Sequence, residues 1–204
     1  MNKIVKNTWI LTAITLVAGC LLGLVYEVTK APIAAAQESA KQEAYKTVLA
    51  DADSFETYDG FEESEAADVL KGAGYSSDDI SEVAVALDKS GEEMGYVITV
   101  MSHEGYGGDI EISVGIANDG TVKGIEMLSI NETAGLGMKA TEPVFKEQFK
   151  DKQVEKFSYT KTGESGENKI DALSGATITT NAVTNAVDSA LVYFQSELGG
   201  SVNE

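Results

Sequence analysis

The chain opens on an unbroken apolar run. Residues 8–26, TWILTAITLVAGCLLGLVY, hold 19 positions without a charge, and a helix rising about 1.5 Å per residue over that length crosses a hydrocarbon core roughly 30 Å thick. The pattern predicts a single transmembrane helix. Lys3, Lys6 and the terminal amine precede it, while Glu27 and Lys30 cancel behind it, so the charge bias assigns residues 1–7 to the cytoplasm and the bulk of the chain to the other side. Trp9 and Tyr26 suit the two interfaces. Residues 27–55 read as a juxtamembrane helix and linker. Pro32 allows a bend, and AAAQESAKQEAYKTVLA (34–50) is rich in helix formers, which makes it a spacer or a segment that docks on the following domain.

A domain is expected over 56–204. From Asp51 to Glu93 acids far outnumber Lys71 and Lys89, and Gly, Ser and Asp interrupt any long period. The spacing then switches to two. EVAVALD (82–88), YVITVM (96–101), DIEISVGIA (109–117) and TVKGIEML (121–128) alternate β-branched and small or polar residues, as antiparallel strands do. KSGEEMG and NDG fit hairpin connections, with Gly120 free to take a positive φ. Such a sheet must bury its apolar face. In TTNAVTNAVDSALVYFQSEL, from Thr179, Val183, Val187, Leu191 and Phe194 form a helical stripe flanked by Ala182, Ala186 and Ala190, and this helix is available to cover the sheet. Thr141 is expected to cap a short helix with Pro143 in its first turn. The fold class expected is α+β, an antiparallel sheet with packed helices behind one N-terminal transmembrane helix.

Composition narrows the chemistry. With 33 acidic against 15 basic residues the net charge is −18, and no basic stripe exists to displace counterions from a nucleic acid. The acids of 51–93 contain no D-x-[DN]-x-[DN]-G loop, so they read as a solvated surface and not a calcium site. Cys20 is the single cysteine and His103 the single histidine, which excludes intramolecular disulfides, thiolate zinc cages, haem attachment and histidine-rich metal sites. No metal site is expected. Any electron handling therefore needs an organic cofactor. Cys20 closes LVAGC, similar to a lipobox, yet the apolar run continues through Leu21, Leu22, Leu24 and Val25, where a processed chain would turn polar.

Glycine clusters mark two loops, and small residues mark a helix start. In SHEGYGG (102–108), Gly105, Gly107 and Gly108 permit either a wide turn or a close backbone approach to a ligand. ETAGLG (132–137) follows a strand and offers the same alternatives, without the GxGxxG spacing or βαβ context of a dinucleotide fold. DALSGAT (171–177) precedes the last helix, whose first amides lack carbonyl partners. Thr177, Thr179, Thr180 and Asn181 read as capping residues, or one hydroxyl is the attachment point of a phosphate. A serine hydrolase built on Ser174 is disfavoured, because neither G-x-S-x-G nor S-x-x-K is present and only His103 could act as base.

These residues resemble the FMN-binding domain of membrane electron-transport complexes, specifically the G subunit of the Rnf complex, related to the C subunit of the sodium-translocating NADH:quinone oxidoreductase. The resemblance covers nearly the whole chain: the anchor, the acidic region, GYGG, ETAGLG and DALSGAT. Its most specific element is D-x-x-[ST]-G-A-T, the signature that a flavin transferase reads when it esterifies FMN to the final threonine. Asp171, Ser174, Gly175 and Ala176 match, and that threonine is Thr177. One position departs, since the family loop reads ETPGLG and Ala134 stands here in place of proline, which loosens the loop. The resemblance implies covalent FMN at Thr177, with Tyr106 and Gly107 of one loop and Glu132, Thr133, Gly135, Leu136 and Gly137 of the other against the flavin. It implies an extracytoplasmic electron-transfer component and no stand-alone enzyme. The implied partners are the other subunits of the complex, the flavin transferase and membrane lipid. The alternative is an anchored extracytoplasmic binding or scaffold module with no cofactor, in which SGAT only caps a helix.

Overall fold

The computed structural model describes residues 2–164 and 166–199. It divides into two units, Met1–Lys41 and Gln42–Glu204. Helix α1 (Lys3–Val48) continues through Pro32. Its most apolar 18-residue window has a mean hydropathy of 2.2 and no residue buried by protein. Trp9, Leu11, Ile14, Leu16 and Leu22 are exposed along it. A helix this long and apolar can cross a membrane, and side chains that find no protein partner need an apolar solvent.

The second unit is organised by a five-stranded antiparallel sheet in the order β1 (Ser54–Thr57), β2 (Asp78–Leu87), β3 (Glu93–Ser102), β4 (Ile110–Ala117), β5 (Val122–Ile130). The four strands expected from alternation are present, each within a few residues of its expected limits. Alternation decides which face each residue joins. Ile110, Ile112, Val114 and Ile116 of β4 and Tyr96, Ile98 and Val100 of β3 enter the main core. That core is closed by α4 (Thr177–Glu197), whose Val183, Val187, Leu191 and Phe194 are all buried. Gly120 takes φ 84° in the β4–β5 turn, a conformation open to glycine.

The opposite face of the sheet is covered as well. Tyr45, Val48 and Leu49 pack with Ala84, Ala86 and Val97 in a second cluster, so the end of the 34–50 segment docks on the domain. Small residues make room for it. A Cβ on Gly115 would stand 2.6 Å from the Val48 carbonyl oxygen, too close for any side chain.

The acidic region contains order that the sequence pattern does not reveal. Helix α2 (Glu63–Ala73) buries only Ala66 and Leu70 and ends on Gly74 at φ 92°, a glycine C-cap. Strand β1 is a four-residue edge strand. Also unexpected is a short parallel pair, β6 (Ser158–Thr160) with β7 (Lys169–Asp171). The capping expectation at Thr141 is corrected. Helix α3 (Pro143–Lys146) has Glu142 at its N-cap, while Thr141 ends a preceding 3₁₀ turn and donates to the Met138 carbonyl at 2.9 Å.

Candidate functional site

A cavity of about 580 Å³ is lined by Tyr106, Glu132, Thr133, Leu136, Gly137, Gly175, Ala176, Thr177, Ile178 and Thr179. Three separate stretches meet there: the 103–109 loop between β3 and β4, the loop after β5, and the start of α4. The volume lies within the range of small-molecule and cofactor sites, about 300–1,000 Å³.

Glu132 holds two of these stretches together. It is 9% exposed, and its Oε1 accepts the Tyr106 N–H at 2.7 Å and the Gly107 N–H at 3.2 Å. Burial of a carboxylate requires such donors. Gly107 is close to the same segment, for a Cβ there would lie 2.0 Å from the Asn131 carbonyl oxygen. Gly137 has equally little room: its Cβ would stand 2.6 Å from Thr179 Oγ1 and 2.7 Å from Glu132 Oε2. The glycines therefore mark close backbone packing that builds the cavity, with Gly135 and Gly175 turning the chain at φ 76° and 77°.

At the third stretch, the hydroxyls do not cap the helix in the way capping residues do. Ala176 is the N-cap residue of α4, without a side-chain cap hydrogen bond. Thr180 instead pins the SGAT turn, accepting the Leu173 N–H at 3.1 Å and donating to the Ala176 carbonyl at 2.9 Å. Asn181 donates to Glu104 Oε2 at 3.2 Å. Thr177 is half-buried at the first position of α4 and lines the cavity. Helix-terminal amides and the aligned peptide dipoles place partial positive charge at that point.

The rim of the loop is electrostatically tied. His103 Nδ1 lies 2.8 Å from Asp109 Oδ1 and Nε2 lies 2.9 Å from Asp79 Oδ2. Hydrogen bonding to these two carboxylates, Asp109 first, raises the imidazole pKa above 6.5.

The FMN-binding domain family matches residues 105–192, and the RnfG N-terminal region matches residues 1–48. The G subunit of the ion-translocating oxidoreductase complex of Methanosarcina acetivorans is 34% identical over 97% of this chain and 98% of its own. The G subunit of the proton-translocating ferredoxin:NAD(+) oxidoreductase complex of Clostridium ljungdahlii is 31% identical over 98% and 96%. The chain belongs to the RnfG family. This RnfG-family chain thus carries an FMN-binding domain in its second unit, and its apolar N-terminal helix accords with a membrane protein. The C subunit of the Na(+)-translocating NADH-quinone reductase of Parabacteroides distasonis shares the fold, with a TM-score of 0.52 at 21% identity over 74% of this chain and 79% of that one.

Of the residues expected at the site of an RnfG protein, Tyr106, Glu132, Thr133, Leu136, Gly137, Gly175, Ala176 and Thr177 line the cavity. Gly107, Gly135, Asp171 and Ser174 do not line it. Gly107 serves through its amide to Glu132. Asp171 ends β7, where its N–H donates to Gln148 Oε1 at 2.6 Å and its side chain faces outward. Ser174 is exposed. Two further residues line the cavity: Ile178, which was not anticipated, and Thr179, which the sequence offered only as one of several capping or attachment hydroxyls.

Proposed function

We propose that this RnfG-family protein carries FMN in the 580 Å³ cavity, esterified through its phosphate to Thr177, and relays electrons between neighbouring subunits of an ion-translocating oxidoreductase complex. The observation that carries the reading is Thr177 at the uncapped first position of α4, opening into a cavity walled by both glycine-rich loops. Esterification is a net condensation: the Thr177 hydroxyl oxygen becomes the bridging atom to phosphorus, and the chain gains one FMN less one water. The flavin transferase supplies that modification. Bound flavin would supply the redox chemistry that this chain, with one cysteine and one histidine, cannot.

The residues fit the group. Glycine backbones let a flat ring lie against main chain, and Leu136 and Ile178 offer apolar contact. Magnitudes favour a covalent tether. A helix terminus contributes about 0.3–1 kcal/mol to anion binding, whereas nanomolar retention needs about 12 kcal/mol. In a domain facing away from the cytoplasm, released FMN would be lost. The charge bias around residues 8–26 supports that orientation with a single membrane crossing, and the same helix would contact membrane lipid.

Intact mass and in-gel fluorescence of denatured protein, made together with the flavin transferase, test the reading. Thr177→Ala is expected to fold without flavin, while Thr177→Ser retains part of it because the hydroxyl survives. A fluorescent Thr177→Ala band, or wild type at its bare sequence mass, would sink the proposal.

A further inference from the structure

The 103–109 loop supplies Tyr106 to the cavity wall, yet the cavity does not itself explain what holds the loop against α4. Glu104 does. Its Oε2 accepts the Asn181 amide at 3.2 Å and the Asn185 amide at 2.7 Å, two side chains four residues apart on one face of α4. A carboxylate only accepts, so both amides must present their NH₂ groups to it, and their orientations are set.

From this contact we propose that Glu104 is a positioning residue, which clamps the Tyr106 loop to α4 and so fixes the spacing between the cavity walls built by Tyr106 and Thr177. At the far end of the same loop the Tyr106 and Gly107 amides bind Glu132. The loop thus spans from α4 to the segment after β5, the two elements that carry the rest of the lining. Thr177 precedes Asn181 by one helical turn, so a shift of the loop along α4 changes the width of the cavity beside the threonine. Tyr106 is 71% exposed and has little packing of its own to fix it. Second contacts of this kind decide how well a site is preorganised.

The consequence for flavin rests on the function proposed above, but the clamp itself is observable without flavin. The full chain, made with the flavin transferase, is compared as wild type, Glu104→Ala, Glu104→Gln and the Asn181→Ala/Asn185→Ala double variant. Two quantities are read: hydrogen exchange at the Tyr106 and Gly107 amides, and visible-region circular dichroism of the flavin per bound FMN. Glu104→Ala is expected to speed exchange at both amides about ten-fold and to reduce the dichroism by roughly half, with covalent flavin retained at Thr177. Glu104→Gln keeps an acceptor oxygen and stays near wild type. The asparagine double variant removes the donors and repeats the Glu104→Ala result, so it decides the question if Glu104→Ala fails to fold. Unchanged exchange in the double variant overturns the clamp. So does Glu104→Ala that folds with wild-type dichroism at full flavin loading. Flavin-free wild type defeats the cofactor reading alone, and the exchange measurement still decides the clamp.

Discussion

Gly137 occupies a position where one added methyl would reach both Thr179 Oγ1 and Glu132 Oε2, at 2.6 and 2.7 Å. Both neighbours line the cavity and both are buried, so neither has an easy escape. Gly137→Ala is expected to cost about 1–3 kcal/mol of stability through overpacking and to lower flavin loading several-fold. Thermal unfolding and flavin per chain check this, and an unchanged loading would mean that the wall yields. The requirement for glycine in ETAGLG was legible in the sequence as a choice between turn and close approach. The structure supplies both answers at different residues: Gly135 turns the chain, and Gly137 admits its neighbours. Asp171 and Ser174, which match the motif equally well, sit outside the cavity lining. Matching a sequence motif and lining the cavity are thus separate properties of these residues.

At the scale of elements, α4 is the member on which sheet and site both depend. It buries Ala182, Val183, Ala186, Val187, Ala190, Leu191 and Phe194, and its first residue opens into the cavity. Leu191→Ala removes a fully buried side chain and is expected to destabilise the domain by about 2–5 kcal/mol, measured by denaturant unfolding. A value below about 1 kcal/mol would show that the site collapses to refill the space. This helix was legible because its stripe is long. The strands were legible because alternation puts Ile110, Ile112, Val114 and Ile116 on one face. Helix α2 was not, since only Ala66 and Leu70 of its residues are buried and two positions make no period. The β6–β7 pair was hidden for a related reason: three residues per strand are too few for an alternation to show.

For the whole molecule, a buried acid links several segments. Asp188 of α4 accepts the Phe157 N–H at 2.7 Å and the Tyr75 hydroxyl at 3.3 Å, and Lys156 Nζ lies 5.2 Å from the Tyr75 ring centre. Burial pushes its carboxyl up to about 7, against the lowering effect of the Phe157 N–H, Lys156 and Tyr75. An unfolded aspartate titrates near 3.9. Between about pH 4 and pH 7 the folded state therefore binds more protons than the unfolded one, and stability falls as pH rises through that window at up to about 1.4 kcal/mol per pH unit. Asp78, also raised by burial, has the same sign. Asp188→Asn is expected to flatten the stability curve over this window and to unfold later than wild type above pH 7, by about 1 kcal/mol or more. Parallel curves for the two proteins would show that Asp188 does not titrate there.

Local rules settled much of this RnfG-family chain without its coordinates. The run of 19 uncharged residues, the alternation of the central strands and the stripe of α4 depend on neighbours within a few positions, and backbone periodicity converts them directly into elements and faces. Tertiary structure alone decided which elements meet. Glu132 reaching the Tyr106 and Gly107 amides, Glu104 reaching Asn181 and Asn185, and Asp188 reaching Tyr75 and Phe157 join residues 25 or more positions apart. No local period encodes such pairs, because hydrogen bonds between distant segments exist only once the chain has packed.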